Sequence, residues 1–93
     1  MVARIENWSV GFQDVYLAPE LRRPCLQGAV FGHPWHTDGE FIFTSPITGA
    51  DPKRGVVQCV SREYLLGQVD PEYERLFPDA QVRLMKKWFT VAV

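Results

Sequence analysis

LQGAVFGHPWHTDGEFIFTSPIT, residues 26–48, places two apolar alternating runs on either side of a polar turn that holds both histidines of the chain. Alternation of this kind predicts β-strands. Asp38-Gly39 supplies the reversal, because glycine takes positive φ at little steric cost. The stretch therefore predicts a hairpin with a long loop. Its first strand is expected over Cys25–Phe31, where Gly28 and Gly32 interrupt the run as they would in a tightly curved small barrel. Its second is expected over Glu40–Thr44, ending there because Pro46 confines Ser45 to extended geometry.

Upstream of the hairpin, Arg4–Phe12 alternates so as to put Trp8, Val10 and Phe12 on one face, and predicts a strand. The following QDVYLAPELRRP contains Pro19 and Pro24, which exclude a sustained helix or a central strand. A surface loop is expected, with one helical turn at Pro19–Arg22. Downstream, TGADPKRG (Thr48–Gly55) concentrates turn formers and predicts a second reversal. Val56–Val60 and Tyr64–Leu66 are expected as the fourth and fifth strands. At Asp70-Pro71-Glu72 an N-cap residue, a proline and an acid open a helix. Pro78-Asp79 kinks or restarts it, and Leu84, Met85, Trp88, Phe89 and Ala92 form an apolar stripe opposite Lys86 and Lys87, which predicts an amphipathic helix. The terminal FTVAV has the alternative of pairing as a strand. The expected fold is mainly β (α+β): a small, strongly curved five-stranded antiparallel sheet or SH3-like barrel over residues 4–67, with a C-terminal helical segment over 70–89. An open α+β sheet is the alternative.

With 93 residues the chain suits one domain and one core. A composition of 46% hydrophobic and 23% charged residues lies in the globular range and excludes disorder by depletion of apolar residues. The formal charge of -1 provides no long-range field towards nucleic acid or an anionic membrane. No apolar run reaches the ~18 residues of a membrane span, and MVARIENWSV lacks the order of a signal peptide, so no membrane association and a cytoplasmic location are the expectations. Cys25 and Cys59 lie in or beside apolar runs and are expected reduced and packed as small hydrophobes, a bridge between them being the lesser alternative.

His33, His36 and Asp38 make H-x-x-H-x-D, three ligand types that suit a first-row divalent ion. The turn already accounts for Asp38, however, and neither a cysteine pair nor a distant histidine completes the set, so no metal or other cofactor is expected. Ser45, Cys25, Cys59, His33 and His36 are the candidates for nucleophile or base, yet no G-x-S-x-G, P-loop or dinucleotide glycine pattern is present. A non-enzymatic role is expected. Trp35, Phe41, Phe43 and Tyr64, with Arg62, Lys53 and Arg54 nearby in sequence, could form a stacking platform for single-stranded nucleic acid, but the two phenylalanines alternate as a core face would, which argues against nucleic acid as a partner. Three tryptophans and six phenylalanines exceed what so small a core buries. Trp35, between Pro34 and His36, is the one expected at the surface, while Trp88 and Phe89 are expected in the core. The adjacent Arg22 and Arg23 could hold a partner's carboxylate or a phosphate, the alternative being an arginine pair that is simply solvated.

NWSV (Asn7–Val10), LxGxVxGH (Leu26–His33), Asp38-Gly39, Thr44-Ser45, YxLG (Tyr64–Gly67) and DPEY (Asp70–Tyr73) together make an order that resembles a group of small bacterial and prophage-encoded proteins with no known activity. The resemblance implies a phage- or prophage-associated accessory role and carries no active site. The expected function is a protein-interaction module that binds a protein partner, or itself as a homo-oligomer, through the loop 33–39, with Trp35, His33, His36, Arg22 and Arg23 as contact residues. The alternatives are a metal-binding domain or small metal-dependent enzyme using His33, His36 and Asp38, and a single-stranded nucleic-acid binder.

Overall fold

The computed structural model describes residues 2–12 and 16–89. Five strands form a closed barrel: β1 (Ala3–Gly11), β2 (Cys25–Phe31), β3 (Glu40–Asp51), β4 (Val56–Cys59) and β5 (Glu63–Leu66). Successive strands pair antiparallel, and the barrel closes by a parallel pairing of β1 with β5, in which Ala3, Arg4 and Ile5 face Tyr64, Leu65 and Leu66. Among the described residues, closure leaves each strand with a neighbour on both sides, which removes the unpaired edges that burden an open sheet. One turn of 3-10 helix, Pro19–Leu21, interrupts the β1–β2 connection where the prolines require it. Two short helices follow the barrel, α1 (Pro71–Leu76) and α2 (Ala80–Trp88).

β1 carries the first departure from simple alternation. Asn7 has φ 51°, the register against β2 shifts between Glu6 and Ser9, and the inward face changes phase there. Ile5 and Trp8 are consequently both buried, whereas Phe12 is exposed; the single face of Trp8, Val10 and Phe12 read from alternation does not form. β3 carries the second. It continues through Ser45-Pro46 to Asp51 instead of stopping at Thr44. Pro46 stands where β3 leaves β2 and takes up β4: Cys25 pairs with Pro46, and Ile47 pairs with Cys59. The Ile47 amide bonds Pro24 and the Pro46 carbonyl accepts from Val60. A proline is tolerated at such a change of partner because no ladder donor is needed from it.

The core runs from Ala3, Ile5 and Trp8 through Leu26, Val30, Ile42, Ile47, Val57 and Tyr64 to Ala80, Leu84 and Met85 of α2, so α2 covers the barrel beside β3. Asp70 caps α1 by accepting the Tyr73 amide at 3.1 Å, with Pro71 at the first helical position. Asp79, at φ 61°, breaks the chain between the helices, and both oxygens of Glu74 receive the amides of Asp79 and Ala80. A carboxylate from α1 therefore satisfies the start of α2. Trp88 packs partly buried against the core, but Phe89 is exposed and bridges Ala50 of β3 in strand fashion. Thr90–Val93, which include Ala92 of the apolar stripe and most of FTVAV, lie outside the described residues.

Gly28 makes the tight curvature possible. A Cβ there would lie 2.7 Å from the Glu6 carbonyl oxygen and 3.1 Å from the Trp8 Cα, both backbone atoms that cannot turn aside. Gly28→Ala is expected to cost about 1–3 kcal/mol, as overpacked positions do, and to lower the melting temperature by roughly 5–20 °C for a domain this size, read by circular dichroism.

Candidate functional site

The loop joining β2 to β3 is built from its own side chains. Gly32 and Gly39 take φ of 75° and 89°, the left-handed geometry that allows both ends of the reversal. The Gly39 amide returns to Val30 at 2.7 Å and the Glu40 amide to Thr37 at 2.9 Å. Asp38 accepts the Gly32 amide at 2.8 Å. Glu40 clamps the far side, one oxygen against His36 Nδ1 at 2.8 Å and the other receiving the Thr37 amide at 3.2 Å. These bonds to the Glu40 carboxylate hold its pKa below the ordinary value. With the amides of Gly32, Thr37, Gly39 and Glu40 met in this way, the loop is restrained by its own side chains.

His33 anchors the loop to the barrel. It is only 8% exposed and stacks on Tyr64 of β5, ring centroids 6.1 Å apart, with the His36 ring edge-on at 4.6 Å. Its Nδ1 accepts the Trp35 amide at 3.1 Å, an acceptor role that requires the neutral imidazole. Trp35 itself points outward, 76% exposed, with the Arg62 guanidinium carbon 4.7 Å from its ring centre. Arg62 comes from the β4–β5 turn, which its own carbonyl closes by accepting the Cys59 amide at 2.9 Å. Arg62 thus supports one side of the indole by a cation–π contact.

Burial holds the His33 pKa below its ordinary value of 6.5, reinforced by the positive Arg62 and by His36 and opposed by Glu40. A histidine with a lowered folded-state pKa binds fewer protons folded than unfolded, so stability is full above pH 6.5 and declines as the pH falls from 6.5 towards the folded value. Protonation also removes the acceptor for the Trp35 amide. The expected result is a melting temperature that rises with pH across that window, with the slope reduced in His33→Gln. Titration of the His33 ring by NMR should place its midpoint below 6.5.

Beside the loop, the outer face of β2 and β3 carries Phe41 and Phe43, 60% and 47% exposed and packed edge to face with centroids 6.0 Å apart. They face solvent, while Ile42 between them and Thr44 after them point inward; the alternation that reads as a core face for the two phenylalanines has the opposite phase. Ala29 lies opposite Phe41 and Gln27 opposite Phe43. Phe31 continues the outer row of β2, with Arg4 stacked 4.8 Å from its ring centre. An exposed apolar face therefore adjoins the loop. Tyr64, by contrast, is buried and is unavailable for stacking on a ligand.

Of the residues that the sequence nominates, the fold brings together Trp35, His33 and His36. It places Arg22 and Arg23 elsewhere, before the start of β2, while the loop follows its end; seven residues of strand put roughly 23 Å between the two at about 3.3 Å per residue. Arg22 donates from Nε to the Leu17 carbonyl at 2.9 Å. The possible metal ligands are taken up within the loop: Asp38 by Gly32, His36 by Glu40, and His33 by the Trp35 amide. Among the described residues, no three His, Cys, Asp or Glu side chains converge as ligands.

The candidate nucleophiles have partners of other kinds. Ser45 Oγ lies 2.9 Å from Ser61 Oγ and accepts the Ser61 amide. Both cysteines are reduced and buried. Cys59 meets the Thr44 hydroxyl at 3.5 Å, and burial pushes its thiol up to about 11, so it stays protonated at neutral pH. Cys25 meets the Gly11 carbonyl at 3.5 Å.

Sequence reasoning missed the outward phase of Phe41 and Phe43 and the support of Trp35 by Arg62. The first was signalled by Gly28, which pairs with Ile42 and must face inward to let β1 approach; that assigns Ile42 to the interior and its neighbours to the surface. The chain has no match among protein-family models, curated proteins or solved structures, so its function has to be inferred from the chemistry of these side chains.

Proposed function

We propose that the protein is a non-enzymatic interaction module that binds a protein partner, or a second copy of itself, through the 33–39 loop, in keeping with a phage- or prophage-associated accessory role. The observation that carries this reading is Trp35, exposed at 76% on a loop whose backbone is bonded on both sides and pinned by a buried histidine. An exposed indole on a rigid support binds with little ordering entropy left to lose, and tryptophan is a common anchor in protein interfaces. Phe41 and Phe43 extend the same surface with apolar area, and Arg62, Glu40 and His36 give it a polar rim.

Light scattering on the purified chain separates the two kinds of partner. A mass above that of one chain that returns to one chain in Trp35→Ala assigns the surface to self-association. A single-chain mass for both proteins directs the search to another protein, captured from the native host with wild-type bait and compared with Trp35→Ala bait. Equal capture by the two baits rejects the proposal.

A second reading, a single-stranded nucleic-acid binder, draws support from the Arg62–Trp35 stack beside two exposed phenylalanines, since base stacking on aromatics backed by arginine is how such surfaces work. It predicts fluorescence anisotropy changes with labelled oligonucleotides at low salt. No change at micromolar protein ends it.

A further inference from the structure

A concavity lies away from the loop, where the end of β1, the Pro19–Pro24 segment and the two helices meet. It encloses about 490 Å³, within the usual range for small-ligand clefts. Its walls are apolar and aromatic: Phe12, Tyr73, Phe77, Leu84 and Trp88. Arg22, Arg83 and Lys87 also line it, and among the described residues that do so there is no carboxylate. Among the described residues, the cleft is therefore apolar with a rim of one sign of charge.

Two of these cations, Arg83 and Lys87, stand one turn apart on α2 at exposed positions. Arg83 lies at the end of the first turn of α2 (Ala80–Trp88), where the helix dipole disfavours positive charge. Lys87 stands one turn further on, in the last turn of α2 with its ammonium 5.8 Å from the centre of the Trp88 ring, and its charge repels that of Arg83 at i and i+4. Among the described residues neither forms an ion pair. An anion seated between them would relieve both costs, and the aromatic walls would take an apolar body attached to it. We propose that this cleft binds a small amphipathic anion, an apolar body that fits within the cleft and ends in a carboxylate or phosphate group.

Sodium decanoate, kept below its micelle concentration, is the probe, and amide and indole NMR shifts are the readout. The expected result is saturable shifts centred on Tyr73, Phe77, Arg83, Lys87 and the Trp88 indole, with the Trp35 loop unmoved. Arg83→Glu and Lys87→Glu, both at exposed positions, should each weaken decanoate binding about tenfold, a typical effect of reversing a charge beside a bound ion. Lys86→Glu changes the net charge equally at a residue that lines a different concavity beside Pro52 and Phe89, and should leave binding unchanged. Decyltrimethylammonium, with the same chain and the opposite charge, should produce no shifts at the cleft. The proposal is overturned by absence of saturable shifts, by equal binding of the cationic probe, or by a Lys86→Glu loss matching that of Lys87→Glu.

Discussion

Trp8→Ala should remove a large share of the protein's folding stability. Trp8 is the largest of the fully buried side chains. It stands at the register shift of β1, donates its indole N–H to the Gly67 carbonyl at 3.1 Å, and packs against Tyr73 of α1 with centroids 6.4 Å apart. Its own backbone pairs with the chain that follows β5, through the amides of Trp8 and Asp70. One side chain thus joins barrel closure to the helices. Truncating a buried tryptophan to alanine costs about 3–5 kcal/mol, against a total near 5–14 kcal/mol for a chain this length. The melting temperature is expected to fall by roughly 15–30 °C. Trp8→Phe should lie between, because it keeps most of the volume but leaves the Gly67 carbonyl without its donor, a loss of about 1–3 kcal/mol. Thermal denaturation of the three proteins by circular dichroism checks the order; an alanine variant as stable as the wild type would show that the indole does not join these elements.

Trp35→Ala should do the reverse, sparing the fold and removing the binding. Trp35 contributes its backbone amide to His33, which alanine retains, and its ring rests on Arg62 and beside His33 at the surface. Surface substitutions of this kind change stability by about 0.5 kcal/mol or less, so the melting temperature should move by no more than about 4 °C. An interface anchor, on the other hand, is worth about 2 kcal/mol or more, which corresponds to a roughly thirtyfold loss of affinity. The contrast between the two tryptophans discriminates core from surface more sharply than either variant alone.

How much of this was legible in the residues depends on whether the signal is local. The strand Cys25–Phe31 was readable to the residue, because Pro24 and Gly32 bound an alternating run. Asp70-Pro71 and Pro78-Asp79 marked the two helices for the same reason: capping and proline geometry act within one turn. The bulge at Asn7 was not legible, since asparagine is only one of several residues that accept positive φ and the shift depends on what β2 offers across the ladder. Pro46 read as the end of a strand by local rules, whereas the fold uses it as the point at which one long strand changes neighbours. The parallel closure of β1 on β5 joins opposite ends of the barrel sequence and leaves no local trace.

At the loop, the exposure of Trp35 followed from its polar neighbours in sequence. The burial of His33 did not, because it depends on Tyr64 arriving from β5. Both phases of EFIFT (Glu40–Thr44) are compatible with a buried face, since Phe41 and Phe43 compete with Ile42 and Thr44. The choice was made by Gly28 and the close approach of β1 to the interior, a constraint that emerges only once the strands are paired. Arg22 and Arg23 joined the loop in the sequence-based site because charge and exposure suit binding, but proximity is a property of the fold.

The most direct test of the central claim is paired affinity capture from the native host with wild-type and Trp35→Ala baits whose melting temperatures have been matched to within about 4 °C, quantified by mass spectrometry, with the chain itself counted among the captured proteins. At least one protein is expected to be retained by the wild type and reduced about tenfold or more by the variant, as loss of an anchor of about 2 kcal/mol requires. The same proteins held at the same abundance by both baits would contradict the assignment of Trp35 and its loop as the binding surface.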